Sequence, residues 1–185
     1  MSQIAGGGLT RELGEFWNIQ LLDATSLDDA GYVLTYKVES STNKVDLCGA
    51  SDVPAAVNFR STRDPEDMNE HKTHLVLTGS EVGAKGIPVF REGWAKLKVA
   101  TNNTAIVRGD SLVCTGSGKV DKYTPAALTG TDGASTLAAE LETRFDDLAR
   151  LVGHAEEDVA VGNTSAPGAD KVLTKLSIRA IGLNS

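Results

Sequence analysis

Residues 105–120, "AIVRGDSLVCTGSGKV", decide how this chain is to be read. They contain a Cys, a Lys, an Asp and three Gly, the ingredients of many active sites. They also read as an apolar step, a tight turn at Arg108-Gly109-Asp110, a strand from Ser111 to Thr115, a second turn at "GSGK", and a strand from Lys119 to Tyr123. A phosphate-binding loop would need Gly-x4-Gly-Lys followed by Ser or Thr and then a helix. Val113 stands where the first Gly belongs, Val120 stands where the hydroxyl belongs, and a strand follows. "GSGK" is therefore a hairpin turn. The Arg-Gly-Asp tripeptide, a cell-adhesion motif elsewhere, is explained here by a Gly turn with Asp110 bonding nearby backbone N–H groups.

The flanking sequence extends the same pattern. "AGYVLTYKVES" (30–40) alternates Tyr32, Leu34, Tyr36 and Val38 with Val33, Thr35 and Lys37, a strand signal. Further strands are predicted in "GEFWNIQLLDAT", after a helical turn over Thr10–Leu13, and at 44–48, 74–78, 87–90 and 94–100. A last strand is predicted at 171–181, with Val172, Thr174, Leu176, Ile178 and Ala180 on one face. Short strands with closely spaced turn signals belong to sandwiches and small barrels. One segment breaks the pattern. In "GASTLAAELETRFDDLARLVGHA", Leu137, Leu141, Phe145, Leu148 and Val152 recur at helical spacing. Ser135 or Thr136 can cap its start and Gly153 its end, so an amphipathic helix is predicted over about 135–152, with its apolar stripe packed on the β-body. The expected fold class is mainly β: a small β-barrel or β-sandwich with one inserted amphipathic α-helix. The expected organisation is a flexible arm (1–13), a β-rich region (14–74) with a polar loop at 60–73, and a β-body (75–185).

Composition narrows the function. The net charge of -7 disfavours a nucleic-acid binder, which needs a basic surface. No leader sequence and no run approaching the ~20 apolar residues of a membrane span is evident. Cys48 and Cys114 show no zinc-type spacing; they read as small buried apolar residues, with a disulfide between them left open. His71 and His74 lie among alternating charges that fit a solvated face. Adjacent carboxylates such as Asp146-Asp147 fit a hydrated surface, and there is no Gly-x-Ser-x-Gly elbow. No catalytic residue, cofactor, metal, nucleic acid, membrane or small-molecule substrate is expected.

The order of parts from about 75 to 181 resembles a known family. Gly93 leads a strand, Ile106 precedes the Gly109-Asp110 turn, Gly118-Lys119-Val120 opens a strand, Gly153 and Ala155 mark another, and Val172–Ile178 alternate at the end. This arrangement is similar to the capsid cement, or head decoration, proteins of tailed double-stranded DNA viruses. The resemblance implies a structural virion protein, not an enzyme. It would be made in the host cytoplasm and placed on the outer capsid surface, usually as a homotrimer, where it bridges neighbouring copies of the major capsid protein. Interface candidates are Ile4 and Leu9 in the arm, Arg60 and Arg63 in the polar loop, and Trp17, Phe90 and Trp94, because aromatic and Arg residues are enriched at interface hot spots. Two other functions are carried beside this one. The first is a small trimeric β-barrel enzyme with Asp110, His154 and Arg179 gathered between subunits. The second is a tail or baseplate component.

Overall fold

The structure is a computed structural model, describing residues 9–13, 17–62, 76–83, 86–125, 134–161 and 170–178. Two antiparallel sheets make up the body. The six-stranded sheet A has the order β1 (Leu9–Leu13), β7 (Glu92–Lys98), β11 (Lys171–Ser177), β10 (Leu151–Ala155), β8 (Ser111–Gly116) and β9 (Lys119–Lys122). The five-stranded sheet B has the order β2 (Trp17–Ile19), β6 (Ile87–Phe90), β5 (Ala56–Asn58), β3 (Val33–Glu39) and β4 (Thr42–Leu47). The chain crosses from sheet B to sheet A at Arg91, while β1 returns to the edge of sheet A beside β7.

Neither sheet closes into a barrel, and the architecture is sandwich-like. Each sheet is nevertheless curled over by one short link. A parallel bridge from Val99 to Val120 draws the ends of β7 and β9 together. A second parallel bridge, Leu21 to Val45, lays residues 20–22 along β4, where Leu22 N–H donates to Val45 O at 2.9 Å. That link also covers the outer edge of β4, which would otherwise offer unpaired backbone groups.

Alternation along the strands builds two cores. Val33 of β3, Val57 of β5 and Phe90 of β6 face the interior of sheet A, where they meet Leu97, Leu112, Val120, Val152 and Val172. Their neighbours Leu34, Ala56 and Val89 face the other way and pack on Leu21 and Leu27. Sheet B is thus apolar on both faces, which period-2 alternation permits only when each face has its own cover.

The stretch 105–120 forms a turn followed by the β8–β9 hairpin. Gly109 turns the chain at φ +95°, and the Asp110 carboxylate accepts from Val107 N–H at 2.8 Å and pairs with Lys122 at 3.0 Å. The β8–β9 hairpin tip runs through Gly116, Ser117 and Gly118, all at positive φ. Gly118 then docks the tip on sheet B: its N–H donates to Cys48 O at 2.9 Å and its carbonyl accepts from Val33 N–H at 2.8 Å.

Several expectations are corrected. Thr10–Leu13 lies in β1, not in a helical turn, and Leu9 and Thr10 stand opposite Ala95 and Trp94. No strand covers 76–78; Thr78 instead starts the short helix α1 (Gly79–Val82), where the Glu81 carboxylate accepts from Thr78 N–H at 2.6 Å. The long helix α2 is Ala134–Ala149 and ends before Val152, which is a fully buried residue of β10. Val152 fits the helical period and the strand period alike, and burial between the sheets decides in favour of the strand. Gly153 is not a helix stop. It sits in β10, where a Cβ would lie 2.2 Å from Lys175 O.

Candidate interface

The largest departure from expectation concerns which way α2 faces. Its stripe does not pack on the β-body: Leu137 is 42% exposed, Leu141 42%, Phe145 70% and Leu148 51%. At 100° per residue these four side chains fall within one narrow sector of the helix, so they form a single apolar ridge. The polar flank of α2 carries its ties to the body. Asp147 accepts from Tyr123 Oη at 3.3 Å and pairs with Arg150 at 2.9 Å, and Arg150 N–H donates to Asp147 O at 3.0 Å where the helix gives way to β10. Burial and the neighbouring Asp147 push the Tyr123 hydroxyl pKa up. The helix is therefore inserted between β9 and β10 with its charged side toward the body and its apolar side toward solvent.

The outer face of sheet A supplies a second exposed feature. Ser111, His154, Lys175 and Trp94 stand in register across β8, β10, β11 and β7. Ser111 Oγ and His154 Nδ1 are 3.3 Å apart, and Lys175 Nζ lies 5.5 Å from the Trp94 ring centre. At one end of this face, loop 28–31 of sheet B is bound by charge. Asp29 pairs with Lys171 at 2.8 Å and with Lys98 at 3.0 Å, and Lys98 also pairs with Asp170 at 2.5 Å. Burial acts to lower the Lys98 pKa, but the two carboxylates outweigh it and the net shift is upward.

The aromatic candidates separate by environment. Phe90 is 1% exposed and meets Phe59 edge-on at 6.3 Å, so it is a core residue and not a surface anchor. Trp17 is half-buried beneath the Arg91 guanidinium, 4.7 Å from its ring centre, and Arg91 also covers Tyr36 and donates to Ala55 O at 2.7 Å. That stack is part of the fold of sheet B. Trp94 remains half-exposed on sheet A, and Arg60 is exposed, 6.0 Å from the Phe59 ring. Leu9 is placed on β1 by its backbone. Ile4, Arg63, His71, His74 and Arg179 lie outside the described residues.

Asp110 and His154 are neighbours through the backbone, where Ala155 N–H donates to Asp110 O at 2.9 Å, and their side chains have different partners. Asp110 is held in its own turn by Val107 and Lys122, which keep its carboxyl below the ordinary carboxylate range, while His154 faces Ser111 on the sheet surface. No helix among the described residues is long and apolar enough to cross a membrane. Compared with known proteins, the chain matches no family model, no curated protein and no solved structure.

Proposed function

We propose that this chain is a structural virion protein that binds the outer surface of a viral capsid as a homotrimer and stabilises the shell by bridging neighbouring capsid subunits. The observation that carries the proposal is the α2 ridge. Phe145 at 70% exposure, with three leucines beside it, is apolar surface that a folded chain normally covers. In this reading the cover is another copy of the same chain. The ridge offers on the order of 400 Å² of apolar surface. That is about half of the ~800 Å² per partner found in a standard stable interface. A contact of this size suits an assembly in which several modest contacts add through avidity. The turn and strand order at Gly93, Ile106, Gly109-Asp110, Gly118–Val120, Gly153 and Val172–Ile178 supports the decoration reading, and so does the sandwich-like β-body.

The test is light scattering on the purified protein beside the variant Leu141→Glu/Phe145→Glu, followed by co-sedimentation of both with capsids. The wild type should run as a trimer and co-sediment, and the variant should run as a folded monomer that attaches weakly. A wild type that stays monomeric at high concentration, or a variant that remains trimeric, contradicts the proposal.

A further inference from the structure

Cys48 follows β4 in sheet B, and Cys114 lies within β8 in sheet A. Both carry free thiols, and both are buried, at 0% and 2% exposure. Backbone bonds fix their main chains. Cys48 N–H donates to Val33 O at 3.0 Å, Cys48 O accepts from Gly118 N–H at 2.9 Å, and Cys114 stands opposite Val120 in the β8–β9 ladder. Cys114 Sγ lies 3.1 Å from Cys48 O and 3.3 Å from Lys119 O. The Cys48 thiol lies 3.6 Å from Gly49 O and 3.7 Å from Asp52 O. Two cysteines 66 residues apart in sequence thus meet in the core, with the Cys114 sulfur against the Cys48 main chain.

We propose that Cys48 and Cys114 are a latent covalent cross-link between the two sheets, a dithiol that a low-molecular-weight disulfide such as oxidised glutathione converts to a disulfide. The Cys114 sulfur attacks one sulfur of the small disulfide. The old S–S bond breaks, and the first glutathione leaves carrying the Cys114 proton. The Cys48 sulfur then attacks Cys114 Sγ in the mixed disulfide, and the second glutathione leaves with the Cys48 proton. Two electrons and two protons pass from the protein to the glutathione. Because the thiols are enclosed, exchange takes place in the folding or opened chain, and the closed fold then holds whichever state was formed. The bridge would close a long loop, which is where a cross-link constrains the unfolded chain most.

The protein is unfolded, fully reduced, and refolded by dilution into a buffer of reduced and oxidised glutathione, with a parallel sample refolded in a phosphine reductant. The glutathione sample should be lighter by two hydrogens, show no titratable thiol after denaturation, and yield a peptide linking Cys48 to Cys114. Its Tm should lie roughly 5–10 °C above that of the reduced sample and return on reduction. The variant Cys48→Ala should show no such rise. Linkage of the wild-type peptides is read without any variant, so a misfolded substitution does not decide the matter. Retention of both thiols, bridging between chains, or a bridged form melting at or below the reduced one overturns the proposal. None of these outcomes bears on the oligomeric state.

Discussion

The substitution Asp29→Asn removes one charge from the cluster that fixes loop 28–31 to sheet A. The Asn keeps the size of the side chain and can keep the bond that Asp29 accepts from Ala30 N–H at 2.7 Å. It loses the charge facing Lys98 and Lys171, whose side chains are only 12% and 8% exposed. Lys98 retains Asp170, whereas Lys171 loses the carboxylate recorded beside it. Breaking a buried ion pair from one side costs about 3–5 kcal/mol. The Asp29 side chain is 37% exposed, so water screens part of the interaction and we expect a loss of about 2 kcal/mol. For a chain of this length that corresponds to a fall in Tm of roughly 4–8 °C. The pH dependence has a definite sign. Burial acts to raise the Asp29 pKa, but the bonds from Lys171, Lys98 and Ala30 N–H outweigh it and hold it below the ordinary value. A carboxyl depressed in the folded state contributes stability above its unfolded pKa and loses it as pH falls through the folded one. The gap between wild type and Asp29→Asn should therefore be full at pH 7 and narrow as pH drops below about 4. Urea unfolding at a series of pH values, with Asp28→Asn as a same-loop control, measures it. A variant within about 0.5 kcal/mol of wild type at pH 7, or a gap that does not shrink in acid, would refute the reasoning.

Four more outcomes follow from the packing. Gly31→Ala should destabilise by about 3 kcal/mol or more, because Gly31 has φ +96° and a Cβ there would lie 2.2 Å from Lys96 O. Gly109→Ala, at φ +95° but with open space around it, should cost only about 1 kcal/mol, and denaturant midpoints compare the two directly. Leu97→Ala, at a fully buried position between the sheets, should cost about 3 kcal/mol in the same assay. Leu141→Glu/Phe145→Glu should leave the stability of the isolated chain within about 0.5 kcal/mol of wild type while abolishing self-association, since those side chains touch solvent.

What the sequence made legible was whatever repeats locally. Alternation marked β3, β7 and β11, and Leu97, Val172, Thr174 and Leu176 are buried as that period requires. The spacing of Leu137, Leu141, Phe145 and Leu148 marked a helix and its apolar side. Periodicity identifies the apolar side of an element but not what lies opposite, so the direction of the ridge had no sequence signal. Val152 satisfied two periods at once, and only the neighbouring sheet resolves it. The Thr78-x-x-Glu81 spacing is a helix-start signature, but four residues are too few to show an apolar period. Contacts between distant segments left no trace. Asp29 meets Lys98 and Lys171, and Arg91 lies over Trp17 and Tyr36, through sheet topology alone. The two cysteines read singly as inert, and their pairing arises only when the β8–β9 hairpin tip docks on sheet B.

Electron cryo-microscopy of virus particles carrying the protein tests the central claim most directly, because it reports location, symmetry and the environment of α2 together. Our account predicts two-sheet bodies in threefold groups on the outside of the shell, with Leu141 and Phe145 enclosed between copies. Density inside the shell or in the tail, or single bodies whose α2 ridge still faces water, would contradict it.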